Sequence, residues 1–221
     1  MSTLPLKLRE RWYDLCSAIG AKGTSFIGDV YREIVVRYSV NRFYHDLSHI
    51  AKCIEEIDAI RDVASNPRQI EMALWFHDII YDTTRNDNEE KSAQLAKDRL
   101  LRMYVASGFR EGVYGLILVT KHNRLPTDTD SQLIADIDLA SLGSPWEVFD
   151  ENTRKIRKEY RHISDDGFDS GRARFFEGML ARKRIYQTDY FARKYGDIAR
   201  ANMQRALDAL RVDSQPKLLL G

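Results

Sequence analysis

The sequence predicts an all-α protein, on three observations. Apolar residues recur at three- and four-residue steps through most of the chain, the period of helices with one buried face. No segment shows the apolar–polar alternation of a half-buried strand. Glycine stops and Asn-Pro or Ser-Pro starts punctuate the periodic runs.

The elements follow in order. Leu8, Trp12, Leu15 and Ile19 make the apolar face of a first helix, and Gly20 is its expected stop. Thr24 or Ser25 caps a second, running through Val30 and Ile34 to Tyr38. A third starts near His45 and carries Ile50, Ile54, Ile57 and Ile60. Asn66-Pro67 opens a fourth, with proline in its first turn, carrying Ile70, Leu74 and His77. The polar stretch Asp82 to Asn88 reads as a loop. A fifth helix then runs to about Val105 and a sixth from about Arg110 to His122. After a loop at Leu125 to Thr129, Ser131 to Ala140 makes a short helix, and Ser144-Pro145 starts the next. Beyond Trp146 the helices are longer and more charged. Gly167 to Gly171 interrupts them, and a last helix spans Thr188 to about Arg211. The tail from Val212 to Gly221 is expected to be loose.

No repeat, low-complexity tract or long linker divides the chain. One compact helical domain over residues 1–221 is expected, its helices at 145–211 packed onto the rest. A net charge of +1 gives no footprint for nucleic acid or an anionic membrane surface. Cys16 and Cys53 form no Cys-x-x-Cys spacing, so neither a disulfide framework nor a zinc ribbon is indicated. No apolar run is long enough to span a bilayer, and the N-terminus lacks the apolar core of a signal peptide. The expected location is the cytoplasm.

The chemistry starts at His77-Asp78, a polar pair inside the apolar run Met72 to Tyr81. Burying an imidazole beside a carboxylate needs hydrogen bonds, a counter-charge or a metal. A divalent cation accepts both donor types. His45 and His49 lie four apart, one helical turn. The spacing also occurs in His-Glu-x-x-His peptidases, but Asp46 is a shorter and poorer base at the second position. Asp138 shares a face with Ile134 and Leu142, which points it inward, whereas Asp136 points nearly the opposite way and reads as a surface or outer-layer group. The order His49, His77-Asp78, Asp138 offers three or four ligands from three helices, which suits a catalytic metal with open positions.

On these residues, roughly Tyr44 to Leu142, the chain resembles the HD-domain superfamily of metal-dependent phosphohydrolases. The C-terminal half, with Ile156-Arg-Lys-Glu-Tyr160 and Gly171-Arg172, is similar to a bacterial branch of these predicted hydrolases. The resemblance implies that His49, His77, Asp78 and Asp138 hold one or two divalent ions, whether manganese, iron, cobalt, nickel, zinc or magnesium. It implies a small phosphorylated substrate, with neither nucleic acid nor membrane as partner and a homodimer allowed. In related cyclic-nucleotide phosphodiesterases the first His of a Tyr-His-x-x-x-His run protonates the leaving oxygen. His45 is then a general acid, or else a plain first-turn histidine. His122 serves a second metal, holds phosphate, or is a helix-end histidine favoured by the dipole. Lys121 and Arg124 beside it, Asn88 and Glu89 at the start of the fifth helix, and Arg157, Arg172 or Arg174 are candidate substrate contacts. Each has a plain reading as a solvated surface group. The chain departs from the family's guanosine tetraphosphate hydrolases, which follow His-Asp by two residues with Glu-Asp. Here Tyr81 replaces the glutamate, and Asp82 matches the second acid as a candidate catalytic group, one helical turn from Asp78 and so expected to face the same site. The same fold also hosts di-iron oxygenases, and a non-catalytic metal- or nucleotide-binding regulator is the third reading.

Overall fold

The structure, a computed structural model, describes residues 4–213 and is all-α. Ten α-helices and one 3-10 turn are present among the described residues: α1 Leu4–Ala18, α2 Thr24–Arg37, α3 Leu47–Ala59, α4 Pro67–Phe76, α5 Asn88–Arg102, α6 Ser107–Val119, α7 Thr129–Leu139, the 3-10 turn Ala140–Gly143, α8 Trp146–Glu159, α9 Asp165–Leu180 and α10 Asp189–Asp213. The tail expected to be loose falls, from 214 onward, outside the described residues. No described helix is long and apolar enough to cross a membrane. The chain divides into two units, Met1–Asp138 and Leu139–Gly221.

In the first unit α4 is central. Ile70, Met72, Ala73, Leu74, Trp75 and Phe76 are all fully buried. A helix that is apolar all round must be covered on every side, and α3, α5 and α6 pack against this one. Glu71 is the polar residue in that run and is 2 % exposed. Arg11 takes it with two hydrogen bonds of 2.6 and 2.9 Å, and Arg61 adds a third at 2.6 Å. These charge-assisted bonds compensate its desolvation and tie α1 and the end of α3 to α4. Asp130, in the first turn of α7, accepts from the backbone of Ser65 and Asn66 at 2.8 Å each. That anchors α7 to the entrance of α4, which has Pro67 in its first turn as the sequence predicts.

The expected starts and stops hold in part. Gly20 ends α1 in the left-handed region, at φ +72°, where a side chain would be strained. The cap of α2 is Gly23, also left-handed, rather than Thr24 or Ser25, which lie inside the helix. Gly167 and Gly171 do not interrupt the C-terminal helices; both lie within α9. The break comes earlier, where Ser164 caps α9 by accepting from Gly167 N at 3.2 Å. Burial of Phe168, Phe176 and Met179 outweighs the about 1 kcal/mol that a mid-helix glycine costs.

The second unit packs α9 and the 3-10 turn against α10. Asn202 on α10 donates to the carbonyls of Leu142 and Ser144 at 2.9 and 2.8 Å. A Cβ on Gly143 would stand 2.5 Å from Tyr195, so the turn can approach α10 only as glycine.

One ion pair of the first unit gives a pH test. Glu33 on α2 receives Arg99 of α5 at 2.8 and 3.1 Å and Arg37 at 3.0 Å. The Arg99 hydrogen bonds, against partial burial, hold its carboxyl below the ordinary 4.5. A lowered folded value means the contribution is complete above 4.5 and is lost as pH falls through the folded value. Glu33→Gln is expected to cost about 1 kcal/mol at pH 7. In urea unfolding that gap should narrow as pH drops below 4.5; a constant gap rejects the assignment.

Candidate metal centre

Four side chains from three segments of the first unit converge. One donor atom each from His49, His77, Asp78 and Asp138 lies within 4.8 Å of the other three. His77 Nε2 is 3.1 Å from His49 Nε2, 3.0 Å from Asp78 Oδ2 and 3.4 Å from Asp138 Oδ1. His49 Nε2 is 3.4 Å from Asp138 Oδ1 and 3.9 Å from Asp78 Oδ2. Ligands bound about 2.1 Å from one cation stand about 3.0–3.4 Å from their neighbours. Most of the observed separations match, so the donor set fits a divalent ion and is compatible with an HD-domain fold.

Each donor is placed by its local structure. His49 sits in the first turn of α3, which begins at Leu47 and not at His45. Asp46 is the cap: its carboxylate accepts from Ser48 N at 2.8 Å and His49 N at 3.2 Å. Asp46, in the position of the peptidase base, is thus a helix cap. His45 therefore precedes the helix, and the one-turn spacing does not apply to it. Its ring nevertheless lies 5.9 Å from that of His49, edge-on to Tyr44 at 4.7 Å and beside Tyr81 at 4.2 Å.

His77 and Asp78 are not inside α4 as the periodicity predicts; they form the turn that ends it. The last carbonyls of a helix need outside partners, and here side chains supply them. His77 Nδ1 meets Leu74 O at 2.8 Å. The Tyr38 hydroxyl donates to Trp75 O at 3.3 Å and accepts from Asp78 N at 3.2 Å. Arg42 donates to Asp78 O at 2.9 Å and to Ile79 O at 3.3 Å. Ser92 Oγ meets both N and O of Ile80. With Nδ1 committed to a carbonyl, His77 turns Nε2 toward the cluster, the tautomer a metal ligand needs.

Asp138, on α7, is held by His122, whose Nε2 is 2.8 Å from its Oδ2. His122 lies past the end of α6, in the left-handed region at φ 53°, and not in its last turn. Asp136 is 1 % exposed, so it is not a surface group. Asp138 is the half-buried one, because its face opens on the cluster.

The electrostatics agree with the geometry. Burial alone would lower the His77 pKa, but the negative charges of Asp78 and Asp138 hold it well above the ordinary value. Burial would raise both carboxyls; for Asp78 the charges of His77 and His45 win, and for Asp138 the hydrogen bonds from His122, His49 and His77, so both lie below the ordinary range. A field that retains a proton on a buried imidazole is one a divalent cation answers. Cys53, fully buried with its Sγ 3.7 Å from His49 Nε2, packs on this side of the cluster. Burial first, then the same carboxylates, push its thiol well above the ordinary value.

The other candidates are placed as follows. Asp82 lies outside the four-donor group: it is exposed and its carboxylate accepts from Thr84 N at 2.9 Å. The one-turn argument that joined it to Asp78 fails because α4 has already ended. Asn88 closes the same loop, exchanging hydrogen bonds with the backbone N and O of Asp82. Lys121 is drawn to Glu90 and to the carbonyl of Asn86. Arg124 is exposed. Glu89 is half-buried; burial, then the charge of Asp78, raises its carboxyl, with Lys121 opposing. In the second unit the Arg172 guanidinium lies 4.4 Å from the centre of the Phe176 ring. Arg157 there closes the turn after α8 through Asp165 and the carbonyls of Tyr160 and Ile163. Tyr38, Arg42, Ser92 and Cys53 are the site residues that sequence reasoning missed. Arg42 alone carried a signal, as a basic residue just before the Tyr44-His45 run.

No family model matches this chain, and no curated protein and no solved structure matches it.

Proposed function

We propose that the chain is a metal-dependent phosphohydrolase acting on a nucleotide or another small phosphorylated metabolite. The convergence of four His and Asp donor atoms within 4.8 Å carries this reading. Four protein donors of mixed kind leave positions for water and for a phosphoryl oxygen. When bound, the cation supplies a water of lowered pKa and a Lewis acid for that oxygen.

The chain's residues do the rest. Asp78 and Asp138 carry the charge that retains the ion, and His122 orients Asp138. His45, fixed between the Tyr44 and Tyr81 rings, donates the proton to the leaving oxygen. Glu89 lines the mouth. The oxygenase alternative needs extra ligands, His122 first among them. The 2.8 Å approach of His122 to Asp138 favours an orienting partner instead.

Phosphate release from a panel of phosphomonoesters and phosphodiesters, with added manganese, cobalt or nickel, tests the reading. Asp78→Ala is expected to lower the rate by more than about 100-fold, since even outer-layer changes at metal sites cost 10–100-fold. Equal rates for the two proteins would sink it.

A further inference from the structure

Arg42 makes more contacts around the cluster than its place in a surface loop explains. Its Nη2 donates to the carbonyls of Asp78 and Ile79, in the turn that presents the ligands. Its Nη1 reaches His45 O at 3.4 Å, in the segment before α3. The guanidinium carbon lies 5.4 Å from the centre of the Tyr38 ring and 4.9 Å from that of Tyr81. Tyr81 in turn faces the His45 ring.

We propose that Arg42 is a positioning residue that locks the His77-Asp78 turn to the His45–His49 segment, setting ligand geometry and proton donor together. The inference rests on the metal-site reading above. The chemistry favours arginine specifically. A planar fork can serve carbonyls of two segments while offering its faces to aromatic rings, and an ammonium cannot. The fork also sits at the negative end of α4, where a cation is stabilised. Because it binds backbone oxygens, it leaves the Asp78 carboxylate to the cluster. Tyr81 lies against both the Arg42 guanidinium and the His45 ring.

Titrating the metal-free protein with Co2+ and following its visible absorption tests this without any substrate. Wild type should saturate with a defined spectrum. Arg42→Lys and Arg42→Gln should bind about 10–100-fold more weakly, with displaced bands at saturation, and lysine should not rescue. If Arg42→Gln does not fold, Arg42→Lys decides; Tyr81→Leu, which strips one face of the stack, should shift the bands the same way. Affinity within twofold of wild type and an unchanged spectrum in Arg42→Lys would overturn the inference. A wild type that binds no Co2+ removes the metal reading as well, so the two failures are distinct. Phosphate release plays no part in either.

Discussion

His77→Ala is expected to abolish metal binding and with it all metal-dependent stabilisation. His77 is 1 % exposed and its Nε2 is the atom nearest the other three donors, at 3.0–3.4 Å. Its removal takes away one of four ligands together with the imidazole that stands 3.0 and 3.4 Å from the Asp78 and Asp138 carboxylates. The variant keeps two carboxylates facing each other, which weakens the metal-free fold as well. An ion that binds only the folded chain stabilises it by about 2.7 kcal/mol at a hundred times its Kd. Wild type should therefore melt higher with Co2+ or Zn2+ than without, and His77→Ala should show no such shift. Calorimetric scans with and without metal make the comparison. An upshift of equal size in the variant would remove His77 from the ligand set.

The helices were legible because burial writes a period into the chain, and Ile70 to Phe76 or Ile50 to Ile57 need no partner to be recognised. The ligand set was legible for a related reason: His49, His77-Asp78 and Asp138 are polar groups on faces that are otherwise apolar. What escaped was set by residues remote in sequence. Nothing within Met72 to Tyr81 shows that α4 stops at Phe76. The carbonyl of Trp75 is taken by Tyr38 and that of Asp78, in the turn beyond, by Arg42, 37 and 36 residues away along the chain. The same early stop takes Asp82 off the one-turn spacing that would set it on the face of Asp78. The place of His45 outside α3 escapes the periodicity for the complementary reason. Asp46 caps α3, which starts at Leu47, two residues after His45, and a cap is decided by one local hydrogen-bond pattern that apolar periodicity does not record. Gly167 and Gly171 looked like breakers because propensity is a weak prior that the packing of Phe168 and Phe176 overrides.

Trp75→Ala is expected to cost the first unit about 3–5 kcal/mol, a large fraction of the 5–15 kcal/mol typical of a whole domain. The indole is fully buried, edge-on to Trp12 at 5.5 Å and to Tyr31 at 6.4 Å. Trp12 also meets Phe76 at 6.0 Å and donates to Ile27 O at 3.1 Å, so α1, α2 and α4 share one aromatic cluster. Alanine leaves a void that rigid neighbours cannot fill. Urea unfolding followed by circular dichroism reads the loss; a change below about 1 kcal/mol would reject the central place of α4. Trp75→Phe separates packing from the site. Tyr38 binds the backbone carbonyl of residue 75, not its side chain. That variant should lose stability yet bind Co2+ within a fewfold of wild type, because the turn at His77-Asp78 keeps all its backbone partners.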